Sequence, residues 1–181
     1  MAEGGALLRR YTGLNRYRGF ESLSLRHIFL AVSVAAAAAH AETFEANVVG
    51  VQDGDSLTVM RERQRVRVRL AGIDAPEHQQ PYGDESRKSL AALCWRKKAS
   101  VAWIEKDSYQ RLLGRVSCSG VDANAEQVRR GLAWASPLAR DRELNRLQAA
   151  ARRERKGLWA DDKPTKPWEW RKLNDVPATA R

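Results

Sequence analysis

The sequence predicts an α+β fold in which three helices accompany a small β-barrel of five strands. Apolar and polar residues alternate through much of residues 43–73, the pattern produced when successive side chains point to opposite faces of a strand. After residue 83 the apolar residues change to helical spacing, return to alternation, and become helical again from residue 121. A length of 181 residues suffices for one domain with its own core.

The first part of the predicted barrel is a β-meander of three consecutive strands. These strands lie near residues 43–52, 55–61 and 65–73. Between the first two, the stretch Asp53-Gly54-Asp55 suits a tight hairpin turn. The second strand therefore starts directly after an aspartate.

The third strand has an apolar face and a basic face. Val66, Val68 and Leu70 alternate with Arg65, Arg67 and Arg69. We expect the apolar residues to point into the barrel and the arginines to point outward, because side chains alternate across a strand. The strand ends before Pro76, since proline donates no ladder hydrogen bond.

The rest of the barrel and the helices follow the meander. A helix begins at Gly83 with acidic residues in its first turn, and Arg96, Lys97 and Lys98 close its end, which suits the helix dipole. The remaining predicted elements are strands near 99–105 and 111–119 and helices near 121–133 and 142–159, both ended by glycines. Five short antiparallel strands with a helix after the third are typical of an OB-type barrel, a fold that binds oligonucleotides.

Two segments flank the predicted domain, which occupies residues 42–160. Residues 1–41 resemble a secretory signal peptide, because basic residues precede the apolar run Ile28–Ala39 and an Ala-His-Ala cleavage pattern. That run is shorter than the ~20 residues of a membrane span. The tail, residues 161–181, has no periodicity, and the sequence leaves open whether Trp168 and Trp170 pack onto the domain or the tail is mobile.

The charge of the chain favours an anionic polymer as its partner. Lysine and arginine number 32 against 22 acidic residues, a formal net charge of +10. Because residues 1–41 hold five arginines and two glutamates, most of this excess lies in the predicted domain and tail. Phosphate-rich polymers are attracted to such a surface, although charge alone is equally consistent with a basic solvated surface.

The two cysteines are Cys94 and Cys118, and both lie on predicted apolar faces. An exported protein meets an oxidising environment, where two such cysteines can form a disulfide. Two packed thiols are the alternative, and the sequence does not decide between them.

Carboxylates and arginines are the candidate catalytic residues, since His78 is the one histidine after residue 41. Asp55 and Asp74 lie at strand ends that share one edge of a meander, and two carboxylates with a backbone carbonyl and water suit Ca²⁺ or Mg²⁺. Glu77 is placed to act as a general base. Arg69 and Arg115 can each bind a phosphate with a planar guanidinium. Taken singly, these residues more often form turns, caps and solvated surfaces.

Six successive motifs resemble the staphylococcal nuclease family over about residues 44–160. They are VVGVQDGDSLTV, VRVRLAGIDAPE, YGDES, LLGRV, ANAEQVRRGLA and AAARRERKGLW. The resemblance implies an OB barrel with three helices and a Ca²⁺-dependent phosphodiesterase that cuts DNA and RNA. By motif position it implies calcium binding by Asp55, Asp74 and the carbonyl of Ala75, and catalysis by Arg69, Glu77 and Arg115.

The chain departs from the family at positions that bear on nucleotide binding. Leu113 stands where the family often has a tyrosine on the fifth strand. Trp134 and Pro137 stand where the best-known member has tyrosines that contact substrate phosphate. The predicted metal and arginine residues are unaffected by these changes.

Two hypotheses for function follow. The first is an exported, Ca²⁺-dependent nuclease, secreted or periplasmic, that acts on DNA, RNA or both with little sequence specificity. It is expected to be a monomer without stable membrane association once the signal peptide is removed. The alternative is a non-catalytic OB-fold module that binds single-stranded nucleic acid or a protein partner, to which tryptophans and a basic groove would also be suited.

Overall fold

The computed structural model describes residues 42–174, so the predicted signal peptide lies outside the described residues. The strands are β1 Glu42–Val51, β2 Ser56–Arg61, β3 Gln64–Leu70, β4 Ile73–Asp74, β5 Lys98–Lys106, β6 Leu112–Cys118, β7 Val121–Asp122 and β8 Trp134–Ala135. The helices are α1 Gly83–Cys94, α2 Ala123–Arg129, α3 Arg142–Arg153 and α4 Pro167–Asn174, with a 3₁₀ turn at Gly157–Ala160.

Five long strands form the barrel in the order β3-β2-β1-β5-β6, which confirms the predicted α+β barrel. Neighbours in this order are antiparallel, but β3 and β6 close the barrel as a parallel pair, with Arg69 opposite Leu113. The prediction of five antiparallel strands therefore holds for four of the five barrel pairings and not for the closing one. Four antiparallel steps leave the first and last of five strands pointing the same way, so the closing pair of an odd-numbered barrel must be parallel.

The barrel interior is filled by the apolar faces that the strand periodicity predicts. Leu57, Val59, Val68 and Leu70 are fully buried there. Val66, nearer the hairpin end of β3, is half-buried and packs against this core. The arginines of β3 therefore lie on the outer face, as expected.

A disulfide joins the last residue of α1 to the last residue of β6. Cys94 and Cys118 are both buried, and their Cα atoms are 5.2 Å apart. This resolves the two alternatives for the cysteines. The basic residues expected in the last turn of α1 instead follow the helix, and Lys98 already begins β5.

The fourth helix, α4, lies in the tail that showed no periodicity and brings the helices of residues 42–174 to four rather than the predicted three. Pro167 is buried at its start, and the ring of Trp168 meets that of Trp134 edge-on with 5.8 Å between centroids. This part of the tail thus packs on the domain. Within residues 42–174, no helix combines the length and apolar character needed to cross a membrane.

Candidate functional site

The turn between β1 and β2 is held by hydrogen bonds that position Asp55. The Asp55 N–H donates to Oδ1 of Asp53 over 2.8 Å, and Nε2 of Gln127 donates to the Gly54 carbonyl over 2.7 Å. A Cβ atom at Gly54 would lie 1.8 Å from Oγ of Ser86, so only glycine lets α1 approach this closely. Asp55 follows the turn with 1% of its surface exposed.

Asp74 reaches the same place from the short strand β4. β4 pairs with β8, where Asp74 lies opposite Trp134. The next residue, Ala75, donates its N–H to Oδ2 of Asp55 over 2.6 Å. The expected proximity of the β2 start and the segment after β3 is therefore observed, and Asp74 is 7% exposed.

Arg69 joins the two aspartates through its guanidinium. One nitrogen forms an ion pair with Oδ1 of Asp55, and Nη2 lies 2.8 Å from Oδ1 of Asp74. The Arg69 side chain is only 12% exposed. Carboxylates as buried as these need a compensating positive charge, and the guanidinium at the end of β3 contacts both of them.

Arg171 of α4 reaches this cluster from the other end of the chain. Its Nη2 lies 2.8 Å from Oδ2 of Asp74, and its Nη1 lies 2.7 Å from Oε1 of Glu77. Glu77, whose side chain is 13% exposed, is thereby linked to Asp74. This contact was not predicted, since the tail has no periodicity and its one helical signal is Pro167, a proline at the first position of α4.

Arg115 lies on the outer face of β6, the strand that pairs with β3. The β3–β6 register pairs Arg69 with Leu113. Arg115 lies two residues beyond Leu113 on the neighbouring strand, so standard strand spacings place its Cα atom roughly 8 Å from that of Arg69. The Arg115 guanidinium forms ion pairs with Asp122 and Asp141, and the side chain is 44% exposed. The structure therefore brings Arg115 near Arg69 but pairs it with two further carboxylates.

Both of those carboxylates are helix caps, which sequence reasoning missed as partners of Arg115. Asp122 accepts from the N–H of Ala125 at the start of α2, and Asp141 accepts from the N–H of Leu144 in the first turn of α3. The Leu144 N–H and the nearby Arg115 guanidinium hold the pKa of Asp141 below its ordinary value. Capping thus presents two carboxylates to Arg115.

An open cavity of about 380 Å³ adjoins Arg115 on the outside of the barrel. Leu113 lines it, as does the exposed Ile104, so one wall is apolar. Trp134 instead lies in a buried cluster with Trp159 and Trp168, and Pro137 is exposed. The aromatic residue at position 134 therefore contributes to packing and does not line this cavity.

The aspartates of the cluster supply oxygen donors of the kind that bind a hard cation. Asp55 and Asp74 present carboxylate oxygens to a shared positive group, and such oxygens are the ligands that Ca²⁺ prefers. In the part of the chain that the structure describes, no three His, Cys, Asp or Glu side chains form a metal-binding group. Two carboxylates fit a cation whose remaining ligands are a carbonyl and water.

The fold and the site together define a class: a small OB-fold protein with buried acids and arginines suited to phosphate chemistry. Residues 67–161 match the family model described as staphylococcal nuclease homologue. The chain belongs to the staphylococcal nuclease family, as the motifs predicted, and is a nuclease whose substrate is nucleic acid. Members of this family are typically calcium-dependent.

Relatives at about 40% identity align with most of the chain, and two of the three described here have nuclease names. A protein named micrococcal nuclease from Shigella flexneri is 38% identical over 143 residues, covering 72% of this chain and 82% of the relative. An uncharacterized endonuclease of Escherichia coli O157:H7 is 42% identical over 126 residues, covering 68% and 82% respectively. Protein ParB of Escherichia coli is 39% identical over 155 residues, covering 79% and 87%. These similarities favour the enzyme over the non-catalytic module.

Proposed function

We propose that this nuclease is an exported, calcium-dependent monomer that hydrolyses phosphodiester bonds of DNA, RNA or both with little sequence specificity. The observation that carries the proposal is the cluster at the end of β3. There Arg69 compensates the buried Asp55 and Asp74, and Glu77 lies in the same ion-pair network. Acids and arginines at one edge of the barrel are what metal-assisted phosphoryl chemistry requires.

The calcium ligands are assigned to Asp55, Asp74 and the backbone carbonyl of Ala75. When bound, calcium would supply positive charge that stabilises the negative charge developing on the phosphate in the transition state. The hydrogen bond from the Ala75 N–H to Asp55 keeps the two acidic segments together. Asp55 is thus held in place by protein contacts before any ligand binds.

The remaining roles fall to Glu77, Arg69 and Arg115. The Glu77 carboxylate takes a proton from the attacking water as a general base. Arg69 and Arg115 donate to non-bridging phosphate oxygens, and planar guanidiniums suit those oxygens better than ammonium groups do. Because such contacts reach the backbone and not the base edges, they position a strand without reading its sequence.

Export is supported by two independent features. The Cys94–Cys118 disulfide is of the kind that persists in oxidising compartments. Residues 1–41, outside the described range, have the order of a secretory signal peptide. A secreted or periplasmic location satisfies both.

The test is Glu77→Gln in the full chain, with plasmid DNA and RNA as substrates. This change preserves size and removes the base, so we expect kcat to fall by about 100- to 10,000-fold while KM changes little. Glu85→Gln is the matched control, since Glu85 is exposed in the first turn of α1. Unchanged turnover in Glu77→Gln would remove Glu77 from the mechanism. Cleavage that persists in a calcium chelator would refute the calcium dependence.

A further inference from the structure

We propose that Arg171 is an internal competitor of the calcium ion: α4 places its guanidinium on Asp74 and Glu77, and calcium binding requires Arg171 to leave Asp74. The inference rests on the proposed function, because it takes Asp74 as a calcium ligand and Glu77 as the base. It assigns to the tail of this chain a role in setting the calcium concentration at which the nuclease works.

The contacts of Arg171 occupy the carboxylate oxygens that the proposed reaction needs. Both oxygens of Asp74 accept from it, Oδ2 from Nη2 over 2.8 Å and Oδ1 from Nη1 over 3.3 Å. The same Nη1 donates to Oε1 of Glu77 over 2.7 Å. The Arg171 side chain is 21% exposed, so water screens these pairs less than it screens pairs at the open surface.

The helix that carries Arg171 is fastened at its start. The buried Pro167 and the edge contact of Trp168 with Trp134 seat α4 on the domain. Just before the helix, the Thr165 carbonyl accepts from Nε2 of Gln80 over 2.6 Å. Oε1 of Gln80 also accepts from the Glu77 N–H over 3.1 Å, so one buried side chain ties the general-base segment to the tail.

Competition follows from the chemistry of a carboxylate. Calcium binds oxygen atoms at roughly 2.3–2.6 Å, which is shorter than the donor–acceptor distance of a hydrogen bond. Lone pairs of Asp74 that accept hydrogen bonds from a guanidinium are not available to the ion, and the guanidinium charge repels a cation at the same carboxylate. Binding therefore includes the free-energy cost of displacing Arg171.

Arg171 is easier to displace than Arg69, which also contacts Asp74. Arg69 belongs to a barrel strand paired on both sides, with β2 and with β6. Arg171 belongs to an eight-residue helix in the tail, and Leu173 on the same helix is 79% exposed. Peripheral elements with few buried contacts open at low cost.

The size of the effect follows from the occupied fraction. If Arg171 holds Asp74 in about nine molecules of ten, the apparent calcium affinity is about tenfold weaker than that of the open site. Removing the guanidinium should restore that factor, which corresponds to about 1.4 kcal/mol.

The experiment is a calorimetric calcium titration of the full chain and two variants, without substrate. We expect Arg171→Gln to bind calcium about tenfold more tightly than the wild type. Lys172→Gln removes the same charge from an exposed position of α4 and should change the affinity less than about twofold. Thermal melts give a second readout, in which calcium raises the melting temperature of Arg171→Gln more than that of the wild type.

Three results would overturn the inference. Equal or weaker calcium binding by Arg171→Gln would show that the guanidinium organises the carboxylates and does not compete. Equal tightening in both variants would assign the effect to net charge. If neither the wild type nor Arg171→Gln binds calcium, the calcium dependence in the proposed function fails as well; the first two results refute the competition alone.

Discussion

Replacing both cysteines by alanine, Cys94→Ala with Cys118→Ala, tests how much the cross-link contributes to stability. The bridge joins the end of α1 to the end of β6 and closes a loop with a sequence separation of 24. Cross-linking stabilises a protein by lowering the conformational entropy of its unfolded chain. For a loop of this length the cross-link lowers the entropy of the unfolded chain by about 12 cal/mol/K, which corresponds to about 3.5 kcal/mol of stability at 25 °C.

That free energy converts to a measurable shift in melting temperature. A folded unit of about 130 residues unfolds with an entropy of about 280 cal/mol/K, so the double variant should melt about 12 °C lower. The alanine side chains fill less of the buried site, which adds to the loss in the same direction.

The assay is differential scanning calorimetry of the wild type and the double variant, each with and without dithiothreitol. The reductant should lower the wild-type melting temperature toward that of the variant and leave the variant unchanged. A difference below about 3 °C between the oxidised wild type and the variant would refute the entropy calculation. Two titratable thiols in the denatured, unreduced wild type would refute the disulfide itself.

Two further variants test the charges of the site. Arg69→Gln leaves Asp55 and Asp74 without their shared guanidinium, so the free energy of unfolding measured in urea should fall by about 3–5 kcal/mol. Calcium should restore part of this free energy. A loss that calcium does not reduce would contradict the proposed shared cation. Asp141→Asn keeps an N-cap but releases Arg115 from one carboxylate, so KM for nucleic acid should fall. Because the pKa of Asp141 is lowered, its stabilising effect is complete above pH about 4 and is lost as pH falls through the lowered value. Asp141→Asn should therefore lose less stability in acid than the wild type, and an identical acid-unfolding curve would count against this.

The proximity of Asp55 to the segment after β3 was predictable from the sequence. The meander pattern placed the start of β2 beside the segment after β3, and the structure has Ala75 hydrogen-bonded to Asp55. That prediction succeeded because a meander is a local arrangement in which adjacent strands are joined by short turns. Trp168 was recognised as able to pack, but its partner Trp134 was not identified.

The sequence by itself determined the strand faces, the acidic turns, the predicted catalytic set and the family, since these depend on periodicity and on short motifs. Only the tertiary structure decided that β3 and β6 close the barrel in parallel, that Cys94 and Cys118 are bonded, and that Arg171 meets Asp74 across 97 residues of chain. Each of these is a contact between distant segments, and no local pattern specifies which distant residue will be the partner. The tail has no periodicity, yet Trp168 packs against Trp134 of β8 and Arg171 contacts Asp74 near the end of β3.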